Sequence, residues 1–456
     1  MVTPIDYLKV HSENHINELC DFLRIKSISS IAAFSDEMMT CANRLNDILH
    51  QIGLENVKCI ATEGYPAVYG EWIKDPAKPT VLIYGHYDVQ PAEPYEMWHT
   101  DPFEPVIENN CIYARGASDN KGQIFMHLKV LEAFLKSGNA FPLNVKVLIE
   151  GEEEIGSPNL PSLLDKFHDM LSCDFVFISD TAMIGENMPA ICYGLRGLLE
   201  FKVEVQGPSH NLPSGGFYGG NVQNPAHIMA HLVNSLHTSS GKVAVEGFYA
   251  DVQEISSFDR RHFSKLPFSE SELKDKIKVS ELVGEEGYSV LERAWSRPTL
   301  EVNQMVSGYY GDGHQTIIPS QATAYITCRL VANQDPDTIW RTIQDHFAKE
   351  MEKCKGVTVS LELLGRCKPY TVDYKHKWIN KCAEALEQAF EVPVSFIKAG
   401  GSIPIVELLS TSYQVPILLV GFGLPDANVH GPNERFSLDH FRKGTQALCY
   451  FWNSFL

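Results

Sequence analysis

An α/β fold carrying an inserted α+β domain is the architecture this sequence predicts, and three observations predict it. Short apolar, β-branched runs alternate with amphipathic helical stretches through the first 196 residues, the pattern of a mainly parallel central sheet flanked by helices. Near residue 197 the strands switch to strict alternation, as in LLEFKVEVQG, which suits a sheet with one wet face. Past residue 331 the helical and apolar strand patterns resume. The expected organisation is a discontinuous domain, 1–196 and 332–456, interrupted by a smaller one at 197–331.

The elements follow in order. Residues 5–25 and 37–53 carry the apolar periodicity of amphipathic helices. TVLIYGHYDV (80–89) reads as a buried strand, and 120–138 as a helix ended by Gly138. NVKVLIEGEEE and DFVFISD supply two more buried strands. In LLEFKVEVQG, Phe201, Val203 and Val205 fall on one face and Lys202, Glu204 and Gln206 on the other. A Gly-rich loop and a helix near 224–238 come next. The stretch 240–300 is polar and charge-rich, and no element is assigned there. ATAYITCRLV (322–331) closes the inserted domain as a strand. Patterned segments then run through 335–354, VTVSLELL, 376–390, VPILLVG and 438–455.

Composition narrows the function. Of 456 residues, 44% are hydrophobic, enough for a large core and against disorder. Acidic side chains outnumber basic ones 57 to 38, a net charge of -19. That balance argues against a nucleic-acid backbone or an anionic membrane as partner. No apolar run approaches the ~18–20 residues of a spanning helix, and the opening MVTPIDYLKVHSENH lacks the apolar core of a secretory signal. The eleven cysteines contain no C-x-x-C pair, so neither a disulfide framework nor a thiolate zinc site is expected. A cytoplasmic location follows as the expectation. P-loop, H-E-x-x-H and G-x-S-x-G patterns are absent.

Five places carry chemistry. In GHYDVQP, His86 and Asp88 lie two apart at a strand end, on the same side of the chain; a zinc ligand with its orienting carboxylate and a capped His–Asp pair explain this equally well. Asp119, in ARGASDNKGQ, precedes a helix, where an ordinary N-cap alone suffices. Glu152, Glu153 and Glu154 follow a buried strand, and three adjacent acids there repel unless solvated or bound to cations. Asp180 ends a third strand, and His430 lies in a loop after VPILLVG. Together they put two histidines and several carboxylates at the ends of elements in one α/β domain. Such an N/O set suits Zn²⁺, or Mn²⁺ at the harder end.

With these residues in place, the chain resembles the di-metal M20 metallopeptidases, above all the dipeptidase branch with its carnosinase-like and nonspecific dipeptidases. GHYDVQPA, RGASDNKGQ, GEEEIGS, ISD, YGLRG, TIIP, CRLVAN, GGSIP and HGPNE occur in the family's order, from about residue 20 to the C-terminus. The resemblance implies two divalent ions, Zn²⁺ or Mn²⁺: His86 and Asp180 on one, Glu154 and His430 on the other, Asp119 bridging. It implies a cis peptide between Asp119 and Asn120, and Asp88 hydrogen-bonded to His86. Glu153 would be the general base for a metal-bridging hydroxide. The 197–331 segment resembles the family's lid or dimerisation domain, which implies a homodimer. Arg329 would bind the substrate's carboxylate, with Thr316, Gly401 and Ser402 as further contacts.

Two departures stand out. Where the dipeptidase branch has D-L-H-S-G, this chain reads NLPSGGFYGG, with Pro213 in place of the histidine that stabilises the oxyanion. Proline has no side-chain donor; His210 is the candidate replacement, and a surface histidine is the equal alternative. KAGGSIP replaces R-E-G-G-S-I-P, so Ala399 stands for a glutamate able to pair with a free amine. The expected function is hydrolysis of dipeptides or similar small substrates with a free C-terminal carboxylate. An N-acyl-amino-acid amidohydrolase or carboxypeptidase of the same fold is the nearest rival, and a degenerate binding protein the rival from another class.

Overall fold

A computed structural model describes residues 2–456. The chain forms two compact units. Met1–Tyr193, Val372–Ile397 and Leu408–Leu456 make the first; Gly194–Thr371 and Lys398–Glu407 make the second.

The first unit is built on a twisted sheet. Its strands lie in the order Glu55–Ile60, Ala67–Trp72, Asn144–Glu150, Thr80–His86, Phe175–Ile178, Ile417–Leu419 and Ala190–Leu195. The four inner strands are parallel, and the flanking ones are antiparallel. The inner strands are the apolar runs of the sequence because helices cover both their faces: every residue of Asn144–Glu150 is buried. Helix Lys121–Lys136 is buried almost all round, whereas Ser35–Ile52, Lys377–Phe390 and Leu438–Asn453 bury one stripe each. The span expected as one helix at 5–25 is two, Pro4–Val10 and Ser12–Leu23, because His11 leaves helical geometry at φ −97°, ψ 7°. Leu8, Ile16 and Leu19 are buried on both sides of that break, so apolar spacing does not reveal it.

Parallel pairing decides where the functional residues emerge. His86 is registered against Glu150, and Tyr84 against both Leu148 and Ile178. The loops after these strands therefore leave the sheet at one carboxyl edge, where ligands of open α/β sheets gather.

The second unit has a four-stranded antiparallel sheet in the order Thr299–Ser307, Gln321–Leu330, Gly197–Gln206, Thr358–Cys367. Gly197–Gln206 alternates buried and half-buried residues along its length. Phe201, Val203 and Val205 meet Ile228 and Met229 of helix Pro225–Asn234 and Ile339, Ile343 and Phe347 of helix Pro336–Met351 in one core. The boundary expected at residue 331 falls inside this unit. Strand Thr358–Cys367 pairs with Gly197–Gln206, and helix 336–351 covers the same face, so the chain stays in the unit until Thr371. The unassigned stretch 240–300 holds three short helices, Ser257–Phe263, Glu270–Ile277 and Val290–Ser296. Each has a serine N-cap, Ser256, Ser269 or Ser289, accepting a backbone N–H. At two turns apiece they are too short for periodicity to show. Among the described residues no helix is long and apolar enough to cross a membrane.

Candidate metal centre

Strand Thr80–His86 delivers His86 to the carboxyl edge with its ring fully buried. Its Nδ1 lies 3.1 Å from the Asp88 carbonyl oxygen and 3.3 Å from Asp88 Oδ1. Asp88 is itself held from three sides: Ser29 Oγ donates to Oδ2 at 2.7 Å, the Glu154 N–H to Oδ2 at 3.0 Å, and the Glu153 N–H to Oδ1 at 3.2 Å. Orientation of one ring nitrogen fixes the direction of the other. His86 Nε2 thus points at Asp119 Oδ1, 3.2 Å away, and Asp180 Oδ2, 3.6 Å away.

Asp119 faces a second histidine as well. His430 Nε2 is 2.8 Å from Asp119 Oδ2 and 3.3 Å from Glu154 Oε2. The five residues form two clusters able to hold a cation, His86–Asp119–Asp180 and Asp119–Glu154–His430, with Asp119 common to both. The Asp119–Asn120 peptide is cis. Asn120 Nδ2 donates to Asp180 Oδ1 at 2.9 Å, and Gln90 Nε2 to Glu154 Oε2 at 2.8 Å.

Charge crowding follows from this packing. Burial pushes the Glu153 carboxyl up to about 8; His86 opposes, and Asp180, Glu154 and Asp119 add to it. Hydrogen bonds to Asp119 and Glu154 raise His430 to about 10. Burial opposes ionisation of Asp119, but His430 and His86 outweigh it and hold its carboxyl below the ordinary range. Within these clusters two buried atoms, His86 Nε2 and Glu154 Oε1, have no hydrogen-bond partner. Orphaned buried polar atoms are rare and need a reason. Each belongs to a different one of the two clusters, so an N/O-coordinated cation in each fits the donor set.

The three glutamates of GEEEIGS diverge. Glu153 and Glu154 enter the centre through the turn Glu153–Ile155. Glu152 is buried elsewhere, accepting from Asn159 Nδ2 at 2.9 Å and the Tyr65 N–H at 3.3 Å. In the second unit, Arg329 Nη1 donates to Ser402 Oγ at 2.8 Å. The Gly401 carbonyl accepts the Arg196 N–H, and the Thr316 carbonyl accepts the Ser214 N–H. His210 is exposed, its Nδ1 3.0 Å from the neighbouring Ser209 Oγ. Pro213 lies in a two-residue strand opposite Ile317. Lys398, next to Ala399, bonds Asp259 at 2.7 Å.

The sequence reading assigned no side-chain role to Ser29, Gln90, Asn120 or Glu434. Gln90, two residues beyond Asp88 on the same side, carried a period-2 signal; Asn120 and Glu434 lay within quoted motifs. Ser29, 59 residues from Asp88, carried none.

Comparison with known proteins agrees with this geometry. The model of peptidase family M20/M25/M40 matches residues 82–454. The Cys-Gly metallodipeptidase dug1 of Schizosaccharomyces pombe is 30% identical over 394 residues, 85% of this chain and 82% of its own. The solved structure of the dipeptidase Dug1p from Saccharomyces cerevisiae superposes with a TM-score of 0.82 at 26% identity, covering 99% of this chain and 98% of that one. The M20 family metallo-carboxypeptidase Sso-CP2 from Sulfolobus solfataricus superposes with a TM-score of 0.84 at 31% identity, covering 97% and 99%. The chain belongs to peptidase family M20/M25/M40 and is a metallopeptidase of the M20 type.

Proposed function

We propose that this metallopeptidase hydrolyses the peptide bond of dipeptides, or of similarly small substrates with a free C-terminal carboxylate. The observation that carries the reading is the shared Asp119: one carboxylate belongs to two N/O clusters, each with a buried orphaned atom, and Glu153 stands beside them. His86 and Asp180 would hold one divalent ion, Glu154 and His430 the other, and Asp119 both, with Zn²⁺ or Mn²⁺ suited to the donors. When bound, such a pair polarises the scissile carbonyl and acidifies water. Glu153 takes the proton from the attacking water on a carboxylate oxygen and returns it to the leaving amine. Asp88 keeps His86 Nδ1 engaged, so that Nε2 stays turned inward. Arg329, which makes no ion pair among the described residues, offers its guanidinium to the substrate carboxylate, with Ser402 steadying it. Thr316, Gly401 and His210 complete the proposed substrate contacts, and the second unit would serve as lid and homodimer contact.

The relatives named dipeptidases support a free-amine substrate. A second reading, an N-acyl-amino-acid hydrolase or carboxypeptidase, has its own support: Ala399 leaves no carboxylate at that position for a free amine, and Sso-CP2 is a carboxypeptidase. The eleven cysteines, with no disulfide among the described residues, support a reducing compartment such as the cytoplasm. The deciding assay offers one amide bond with a free or an acetylated N-terminus, with added Zn²⁺ or Mn²⁺ and Glu153→Gln as blank. Faster turnover of the free-amine set is expected. Turnover confined to the acetylated set moves the enzyme to the second reading, and no activity above the blank on either set overturns both.

A further inference from the structure

Five short segments supply the proposed ligands, and one buried carboxylate takes four hydrogen bonds from the segment that bears Asp119, three of them from its backbone. Glu434 is fully buried, four residues after His430. Its Oε1 accepts the Ser118 and Asp119 N–H groups at 2.8 and 3.0 Å. Its Oε2 accepts the Gly116 N–H at 2.9 Å and Arg115 Nη1 at 2.8 Å. A carboxylate has about four acceptor sites, so the group is saturated by one pentapeptide, 115–119. The Glu434 carbonyl also accepts the Ala114 N–H at 3.1 Å. Arg115 carries the link onward: it is buried, its Nη2 donates to the Pro91 carbonyl at 3.1 Å, and its guanidinium lies 5.4 Å from the Trp98 ring centre. Pro91 ends the GHYDVQP loop.

We infer that Glu434, through Arg115, is a positioning residue for the metal centre: it locks the segments bearing His86, Asp119 and His430 to one another, so that Asp119 faces both histidines at once. The inference rests on the proposed ligand roles. Asp119 must present one oxygen to each cluster, and its backbone N–H, one residue from the cis peptide, is fixed by Glu434 rather than by helix or sheet. No other side chain among the described residues bonds the N–H groups of Gly116, Ser118 and Asp119. Single bonds also tie this segment to its neighbours, Ser118 Oγ to the Arg435 carbonyl at 3.2 Å and the Arg115 N–H to the Pro102 carbonyl at 2.8 Å, and a carboxylate with four directed donors is a far stiffer restraint than either.

Glu434→Gln tests this. It keeps shape and volume, but the amide nitrogen would meet N–H donors wherever it points. Zn²⁺ affinity is read by competition with a chromophoric chelator, and cobalt-substituted protein is read by its visible absorption. Outer-shell partners of metal ligands cost about 10–100-fold in affinity when mutated, and a loss of that size is expected, with altered cobalt absorption and substrate KM unchanged at saturating metal. Leu386→Ala, in the hydrophobic core of the same unit, serves as a control for destabilisation and should leave Zn²⁺ affinity intact. If Glu434→Gln does not fold, Arg115→Gln, which removes the onward link and one of the four bonds to Glu434 but keeps the three from the backbone, should show a smaller loss in the same measurements. Wild-type affinity and absorption in the folded variant, or a loss no greater than in Leu386→Ala, overturns the inference. Failure of the ligand assignment itself looks different: the wild-type protein would then bind no Zn²⁺ at this centre.

Discussion

The sheets of the two units handle charge in opposite ways. In the first, ionisable side chains sit buried at or just beyond the end of an apolar strand, as His86 and Asp88 do. On the sheet of the second, charges run along the strands of an open face, as Lys202 and Glu204 do, 3.0 Å apart and partly exposed. A buried charge is tolerated only with partners on every side, which is why directed donors surround Asp88 and Glu434. A charge on a wet face needs no such provision and contributes little. The lesson is that the cost of burial itself locates the centre: where ionisable groups are drawn inward without neutralising partners, something else completes them.

Removing the acid–base group should produce the largest effect. Glu153→Gln is expected to lower kcat by about 10²–10⁴-fold, with Zn²⁺ still bound and Tm not reduced, since an unfavourably buried carboxyl is lost. A matching fall in metal affinity would move Glu153 into the ligand set instead. Next comes a core change confined to the second unit. Phe201 packs its ring 5.4 Å from that of Trp340 and 6.3 Å from that of Phe347, and Phe201→Ala should cost about 3–5 kcal/mol. Denaturation should then show that unit melting earlier while Zn²⁺ affinity holds; equal loss of both would break the contrast between the units. Arg329→Met should be smaller. A hydrogen bond to a charged group is worth about 1.5–3 kcal/mol, so kcat/KM should fall about 10–100-fold, mostly through KM.

The smallest effect concerns pH. His127 is buried, its Nε2 2.8 Å from Ser179 Oγ, and burial lowers it from 6.5 to about 3. The folded state therefore binds fewer protons than the unfolded one between those values. The stability His127 contributes is complete above about 6.5 and is lost as pH falls toward about 3, by at most ~1.4 kcal/mol per pH unit. Tm measured from pH 7 to 4.5 should fall less steeply in His127→Phe, which keeps a ring for the edge contact with Phe177.

Much of this was legible beforehand. His86 and Asp88 were readable because period-2 geometry at the end of an apolar strand puts both on one side. Asp119, Asp180 and His430 were each unremarkable alone and became informative through their order along the chain. The spacing of GEEEIGS alone does not separate its three acids, and only the resemblance gives Glu153 and Glu154 different roles; Glu152 turns toward Asn159 and Tyr65, because a tight turn sends neighbouring side chains in different directions, which local sequence does not encode. The short helices between 257 and 296 escaped notice because two turns are too few for a period, although their serine caps were in plain view.

By itself, then, the sequence determined the layered architecture and the chemical inventory. Both follow from local rules: hydrophobic period sets element type, and donor types set which ions are suited. Tertiary structure alone decided which carboxylates meet which histidine, that Asp119 is shared, that residues 332–371 join the second unit, and that Glu434 binds the loop of Asp119. Those outcomes depend on strand register and on contacts between residues more than 300 positions apart, and no local pattern specifies a partner at that distance.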